Sequence, residues 1–460
     1  MPQTFQDAIF IAQQLHIRYL WIDALCVRQD DNDDWAREAA TMADVYADAY
    51  CVISATLAHS DGEGFLHPNP GRGLPKAIAS DERSKPLDTC MQAQEQFRLS
   101  DVFDMPTHGR AWCFQELLLA RRFVSYEHTS IRYTCGNGVI GGDMRGPQTL
   151  WEEEEMRLKI NAVFGRKRHV TEEEWMSIVS MFTRRRMTVT TDRLPALSGI
   201  AERVNSRASR YLGGPWEADL PWNLLWHTQQ IYYPELGHAL QKSPSFAWCS
   251  VSSQVSQDTT SWSSWQSLVT VSEVCCYPTG PCPYGHVSWG YLRLVGSVYT
   301  AELVWMQNDD CGPWYWRMSA IYNLQANRKP DHAWVIEGPD NRDIASDVYL
   351  VAQRSVEDIA KLPQLRRSHE TSGFFVEQTR RATATLLMLG RSKKQTFKEV
   401  LFAGGKEEHF VFLVLVPTER PEGCKFEQVY ERLGTYHLDK ARNAEKIHKH
   451  NVIDREIIVV

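Results

Sequence analysis

The residues best placed to do chemistry stand in Gly109-Arg-Ala-Trp-Cys-Phe-Gln-Glu-Leu117, where Glu116 follows Trp112 and Cys113 into an apolar helix. A carboxylate fixed there can steady positive charge developing on a reacting group, and the Trp112 ring can pack on a planar base or position its loop. Two more acids lie upstream: Asp23, near the end of the apolar run Arg18-Tyr-Leu-Trp-Ile-Asp-Ala-Leu-Cys26, and Asp30, in the acidic loop Gln29-Asp-Asp-Asn-Asp-Asp34. Structural roles compete for each. A glutamate in a first helical turn favours the helix dipole or caps the backbone. Asp23 can accept loop amides and hold the turn from Cys26 to Asp34, and Arg28 with Asp30 or Asp31 reads as a surface pair. No histidine neighbours Cys26 or Cys113 in the sequence, so buried structural thiols are expected there rather than a nucleophile.

The elements that must position these acids alternate. Phe5, Ala8, Ile9, Ala12 and Leu15 recur at helical spacing, after which Tyr19 to Leu25 reads as a strand. Ala39, Met42, Val45, Tyr46 and Ala49 form the stripe of a second helix, with Asp30 to Asp34 as amino-terminal caps. Cys51-Val-Ile-Ser-Ala-Thr56 is a further short strand, and the Trp112 helix runs into another at Phe123 to Tyr126. Such alternation predicts an α/β domain with a doubly wound parallel sheet, whose ligands sit beyond the carboxyl ends of the strands, where Asp23 lies.

With 460 residues, 43% hydrophobic content and 16 tryptophans, the chain has material for two or three sizeable cores. A net charge of -7 leaves no electrostatic footprint for nucleic acid or an anionic membrane. The basic runs Arg166 to His169 and Arg184 to Arg186 follow acidic helical sequence and read as solvated charged faces. No secretory signal and no span-length apolar run is visible, so a cytoplasmic protein without a membrane span is expected. Eleven cysteines form no zinc-like pair of pairs. Their one cluster, Cys275, Cys276, Cys282 and Cys311 near His286, reads as a loop with core thiols, and no metal is expected.

Residues 1–150 are expected to form the α/β domain, with a loop insertion near 60–106 rich in Pro, Gly, Asp and Ser. A helical connecting region over 151–242 carries Trp175, Ile178, Val179 and Phe182 on one stripe. Over 243–460, short runs such as Ser261 to Trp265, Tyr291 to Val295, Val348 to Val351, Thr385 to Leu389 and Phe410 to Val416 predict a mainly β carboxyl-terminal module.

The first three blocks together resemble the heterokaryon-incompatibility (HET) domain of filamentous fungi, whose pattern includes a "YLWIDALCI-QDD" run, an "M--IY--A" helix and a later "R-W--QE" motif. Asp192 to Ala201, Tyr211 to Trp216, Leu224 to Trp226 and Pro244 to Val251 resemble segments that follow this domain in long family members. The family usually opens on a strand with a Ser-Tyr-x-Trp-Gly run, and nothing like it precedes Pro2, so the resemblance implies an amino-terminally truncated member whose sheet lacks its usual first strand. Trp112-Cys-Phe-Gln-Glu116-Leu is also spaced like a segment of Toll/interleukin-receptor (TIR) domains, which share a flavodoxin-like sheet. In the TIR enzymes that glutamate is needed to cleave the nicotinamide riboside bond of NAD.

These resemblances imply a flavodoxin/TIR-like fold, with Glu116 as the catalytic candidate and Asp23, Asp30 and Trp112 as substrate-binding candidates. NAD would be a substrate, and no resident cofactor is implied. Two classes of function stay open: a NAD-consuming enzyme acting in fungal incompatibility and regulated cell death, or a non-catalytic signalling module that self-associates or docks on an incompatibility partner; an inactive truncated family member is the remaining alternative.

Overall fold

A computed structural model describes residues 1–56, 58–66, 106–127, 131–141, 153, 155–158, 160, 170–205, 209–228, 243–251, 254–257, 265–280, 282–307, 314–323, 334–335, 348–350, 381–394, 407–439 and 454–460. Most of the insertion near 60–106, the run Arg166 to His169, Ser261 to Ser264 and Cys311 therefore lie outside the described residues. The chain divides into two compact units, residues 1–170 with 184–207, and residues 171–183 with 208–460.

In the first unit, helix α1 (Gln3–Gln14) forms on the predicted apolar periodicity but buries only Asp7 and Ala12. The buried Asp7 carboxylate earns its place as an acceptor, taking the amides of Phe65 (2.7 Å) and Leu66 (3.2 Å) and the Gln3 amide (2.7 Å). Tyr19 to Leu25 is not a strand. Arg18 to Ile22 carries no strand assignment, and Asp23 opens the one-turn helix α2 (Asp23–Cys26). The physical reason is twofold. A strand exists only through a ladder partner, and no strand of the described sheet pairs with this run. Asp23 also turns the chain locally: its Oδ1 accepts the Ala24 amide at 2.7 Å, while Leu25 and Cys26 both donate to the Ile22 carbonyl at 2.9 Å.

Helix α3 (Asn32–Asp48) begins where the acidic loop predicts a cap. The Asp31 carboxylate accepts the Asp34 amide at 3.0 Å, and the Asp34 carboxylate reaches back to the Arg28 amide at 3.0 Å. Strand β1 (Val52–Ser54) follows, then helix α4 (Ala111–Leu119) and strands β2 (Arg122–Tyr126), β3 (Ile131–Cys135) and β4 (Gly138–Gly141). The sheet order is β1-β2-β3-β4; β1 and β2 are parallel, while the other two pairs are antiparallel. The domain is thus mixed α/β, with a single parallel pairing among the described strands rather than a wholly parallel sheet. A small core of Val52, Leu117, Ala120 and Phe123 sits between α4 and the sheet, with Tyr46 and Ala49 packed on it.

In the second unit, helix α5 (Glu172–Thr183) buries Trp175, Ile178, Val179 and Phe182, the stripe read from spacing. Helix α6 (Pro195–Val204) belongs instead to the first unit, where it meets α3 and α4. The second unit is otherwise β-rich: β5 (His227–Thr228), β6 (Val255–Ser256), β7 (Gln266–Ser267), β8 (Thr270–Pro278), β9 (Val287–Gln307), β10 (Trp314–Asn323), β11 (Trp334–Val335), β12 (Val348–Leu350), β13 (Arg381–Lys394), β14 (Glu407–Thr418), β15 (Val429–Asp439) and β16 (Asp454–Val459). Strand β9 pairs through Leu292–Ser297 with β16 and through Val298–Val304 with β13. With the order β9-β16-β15-β14-β13, the path returns to β9 and closes a barrel. Alternation along β14 is replaced by a continuous buried run, Phe410 to Val416, as a strand covered on both faces requires.

Candidate functional site

Helix α4 carries the candidate carboxylate, and its approach is fixed by paired backbones: Ala111 donates to the Arg186 carbonyl (3.0 Å) and Arg186 to that of Gly109 (2.7 Å). Phe114, Leu118 and Leu119 are fully buried, which anchors the helix and leaves Cys113 and Glu116 on its other side, half-buried. At its far end Arg157 Nη1 donates to the Ala120 carbonyl at 2.9 Å, satisfying one of the carbonyls a helix terminus leaves without a partner.

Glu116 is hydrogen-bonded by the Tyr46 hydroxyl of α3 and by the Cys113 thiol one turn away. Desolvation pushes its carboxyl up to about 7, and the nearby Asp23 charge pushes in the same direction; Arg110 and the two hydrogen bonds only partly offset this. Burial and the Glu116 charge push the Cys113 thiol well above its ordinary range, and Tyr46 moves up for the same reasons with Asp23 contributing. Cys113 is therefore an inert thiol and a hydrogen-bond donor at neutral pH, not a nucleophile.

Glu116 lines a small hollow alongside β1 together with Ser54, Thr107, His108, Cys113 and Arg185. The hollow admits a water-sized group. His108 is held neutral, its imidazole pushed down to about 3 by burial and by the charges of Arg185 and Arg132. Arg185 pairs with Glu153 at 2.7 Å and lies 4.3 Å from the Phe114 ring centre. It is buried, so the expectation of a solvated face for Arg184 to Arg186 fails at Arg185, where an ion pair and a cation–π contact replace its water, while Arg186 is exposed as expected.

The other sequence candidates scatter. Asp23 is exposed yet close enough to raise both Glu116 and Tyr46. The Trp112 indole donates to Asp192 Oδ2 at 3.4 Å. Asp30 is exposed, and no contact among the described residues joins it to Glu116. Arg28 pairs with Asp31 at 3.2 Å on the surface. Cys26 is exposed, against the expectation of a buried thiol, because α2 turns it outward from the unpaired segment. Sequence reasoning assigned Tyr46 to a core stripe and missed His108, Thr107 and Ser54; the helical spacing of Tyr46 with Ala49 was the one signal pointing toward α4.

Among the described residues no group of three or more His, Cys, Asp or Glu side chains is arranged to hold a metal ion, and no helix is long and apolar enough to cross a membrane.

Residues 1–116 match the family described as heterokaryon incompatibility protein (HET). The amino-terminal segment is a heterokaryon-incompatibility domain. The match ends on Glu116, so Asp23, Tyr46 and Cys113 fall within the HET segment, while the sheet strands after α4 and the whole second unit fall outside it. No curated protein and no solved structure matches the chain.

Proposed function

We propose that the protein acts in heterokaryon-incompatibility-type self/non-self recognition and programmed cell death signalling, and that its HET domain exerts this through TIR-like cleavage of NAD at Glu116. The HET match supports the biological role. One observation carries the chemistry: a carboxyl that changes charge near neutrality, braced by Tyr46 and Cys113 on the wall of a hollow.

In this reading the C–N bond to nicotinamide breaks, its electron pair leaves with the neutral base, and positive charge spreads over the ribose ring. The Glu116 carboxylate stabilises that charge and then takes the proton of the attacking water as the new C–O bond forms. The hollow is water-sized, so the sugar approaches from the partly exposed edge of Glu116, near Asp23, with the hollow placing the water.

The test is expression of the full chain and of Glu116→Gln while cellular NAD and viability are followed. Wild type depletes NAD; the variant loses at least about 100-fold of the rate. In vitro the rate rises with pH through about 7, the window in which Glu116 becomes a carboxylate. Toxicity that survives Glu116→Gln with NAD unchanged sinks the chemical reading.

A second reading, a non-catalytic docking module, is favoured by one specific feature. Phe10, Leu15, Tyr19 and Leu25 are 51%, 47%, 82% and 56% exposed, a run of large apolar side chains that soluble surfaces seldom show together. Under that reading Tyr19→Asp with Leu25→Asp abolishes toxicity, whereas under the enzymatic reading NAD cleavage by the purified protein survives this change.

A further inference from the structure

Behind the Glu116 hollow lies a second one, lined by Ser125, Glu127, Arg132 and Glu153, and the two share His108, Leu117 and Phe123 as a common wall. Each has room for a water-sized group. Between them runs an unbroken chain of hydroxyls. Ser54 Oγ donates to Thr107 Oγ1 at 3.4 Å; Ser54 Oγ and Thr56 Oγ1 are 3.1 Å apart; Thr56 Oγ1 and Ser125 Oγ are 2.6 Å apart. Thr107 and Ser54 belong to the first hollow, Ser125 to the second, and Thr56 is fully buried between them. The Nδ1 of His108, buried in the shared wall, has no hydrogen-bond partner among the described residues. Water in either hollow would meet it.

The bland account of this chain is that buried hydroxyls on the paired strands β1 and β2, where Ser54 stands opposite Ser125, satisfy one another. That accounts for the bonds but not for where they lead. One end opens beside Glu116. The other opens beside Glu127, which is 13% exposed and paired with Arg132 at 2.7 Å.

We propose that the two water-binding hollows and the Thr107–Ser54–Thr56–Ser125 hydroxyl chain form a proton conduit that connects Glu116 with solvent at Glu127. It rests on the reading of Glu116 as a group that gains and loses a proton in turnover, and it gives that proton an exit on the side away from the substrate. In the sense fixed by Ser54, each hydroxyl hands its own proton to the next, Thr107 passes one to water in the first hollow and so to the Glu116 carboxylate, and Ser125 takes one from the second. One proton moves from one hollow to the other, and no bond other than O–H is made or broken. The reverse flow discharges the proton that Glu116 takes from the attacking water.

The test uses the full chain with carbon-13 in its glutamate carboxyls, the Glu116 resonance being identified by its loss in Glu116→Gln. Its line width around the midpoint near pH 7, extrapolated to zero buffer so that exchange carried by buffer at the partly exposed edge of Glu116 drops out, reports how fast Glu116 exchanges its proton through the interior. Thr56→Val, which keeps the shape and removes the hydroxyl, slows that exchange about tenfold or more without moving the midpoint. Thr56→Ser keeps the wild-type rate, and Ser125→Ala, one link further along, slows it again if the valine variant does not fold. Wild-type exchange in a folded Thr56→Val or Ser125→Ala overturns the conduit. Slowed exchange in a protein that does not cleave NAD upholds the conduit and removes only the enzymatic reading; Glu116-dependent cleavage with unslowed exchange does the opposite.

Discussion

Glu116 releases its proton near pH 7 in the folded chain, whereas an unperturbed glutamate does so near 4.5. Between those two values the folded state binds the extra proton, so stability falls as pH rises from 4.5 to 7 and stays at the lower level above. The expected cost is on the order of 2 kcal/mol after allowance for partial exposure. Glu116→Gln should therefore raise the urea midpoint at pH 8 and leave it unchanged at pH 4; equal midpoints at both would show that the carboxyl is not desolvated. Little of this setting was legible in the sequence. The Trp-Cys-x-x-Glu spacing singles out Glu116, because a motif is local. Tyr46, His108, Thr107 and Ser54 reach the same place from three separate segments, and no period or spacing marks such a convergence.

At the scale of elements, α1, α3, α4 and α5 were readable, since a buried helical face writes itself every three or four residues. The Tyr19 to Leu25 run was not, because strand propensity describes a surface that fits a sheet, and a sheet needs a second strand. Finer packing was also hidden. The Ala39 to Ala49 stripe marks the right side of α3, yet among the described residues of that helix the buried positions are Ala43 and Ala47. At Ala43 the reason is Gly199 of α6: a methyl group there would lie 2.2 Å from the Ala43 Cβ and 2.9 Å from the Gln115 side chain, which accepts the Gly199 amide at 3.1 Å. Gly199→Ala should cost about 1–3 kcal/mol by overpacking. A thermal midpoint within a degree of wild type would mean that α3, α4 and α6 are less tightly apposed.

Across the whole molecule the mainly β half was legible from short apolar runs, but its closure was not, because register and partner choice are long-range. The barrel depends on β16, which joins β9 to β15 and whose Ile457, Ile458 and Val459 are buried. Val460 ties the end down, donating to the Tyr430 carbonyl at 2.9 Å and accepting the Ser245 amide at 3.0 Å. Removing residues 454–460 should open the barrel along two strands and yield aggregating protein. A monomeric, cooperatively unfolding product by size exclusion and circular dichroism would show that the wall closes without it.

Strand β9 is finished at Gln307, yet the strands that flank it on the barrel wall, Arg381–Leu387 and Asp454–Val459, follow much later in the chain. On the ribosome β8 and β10, its neighbours in sequence, can pair with it early, but the backbone groups that the two later strands take stay bare until those residues are made, and synthesis at about 5–20 residues per second makes that wait several seconds or more. Such an edge invites mispairing. Yield of this protein should accordingly track how well nascent chains are chaperoned, and slowing translation downstream of β9 should lengthen the hazard rather than relieve it.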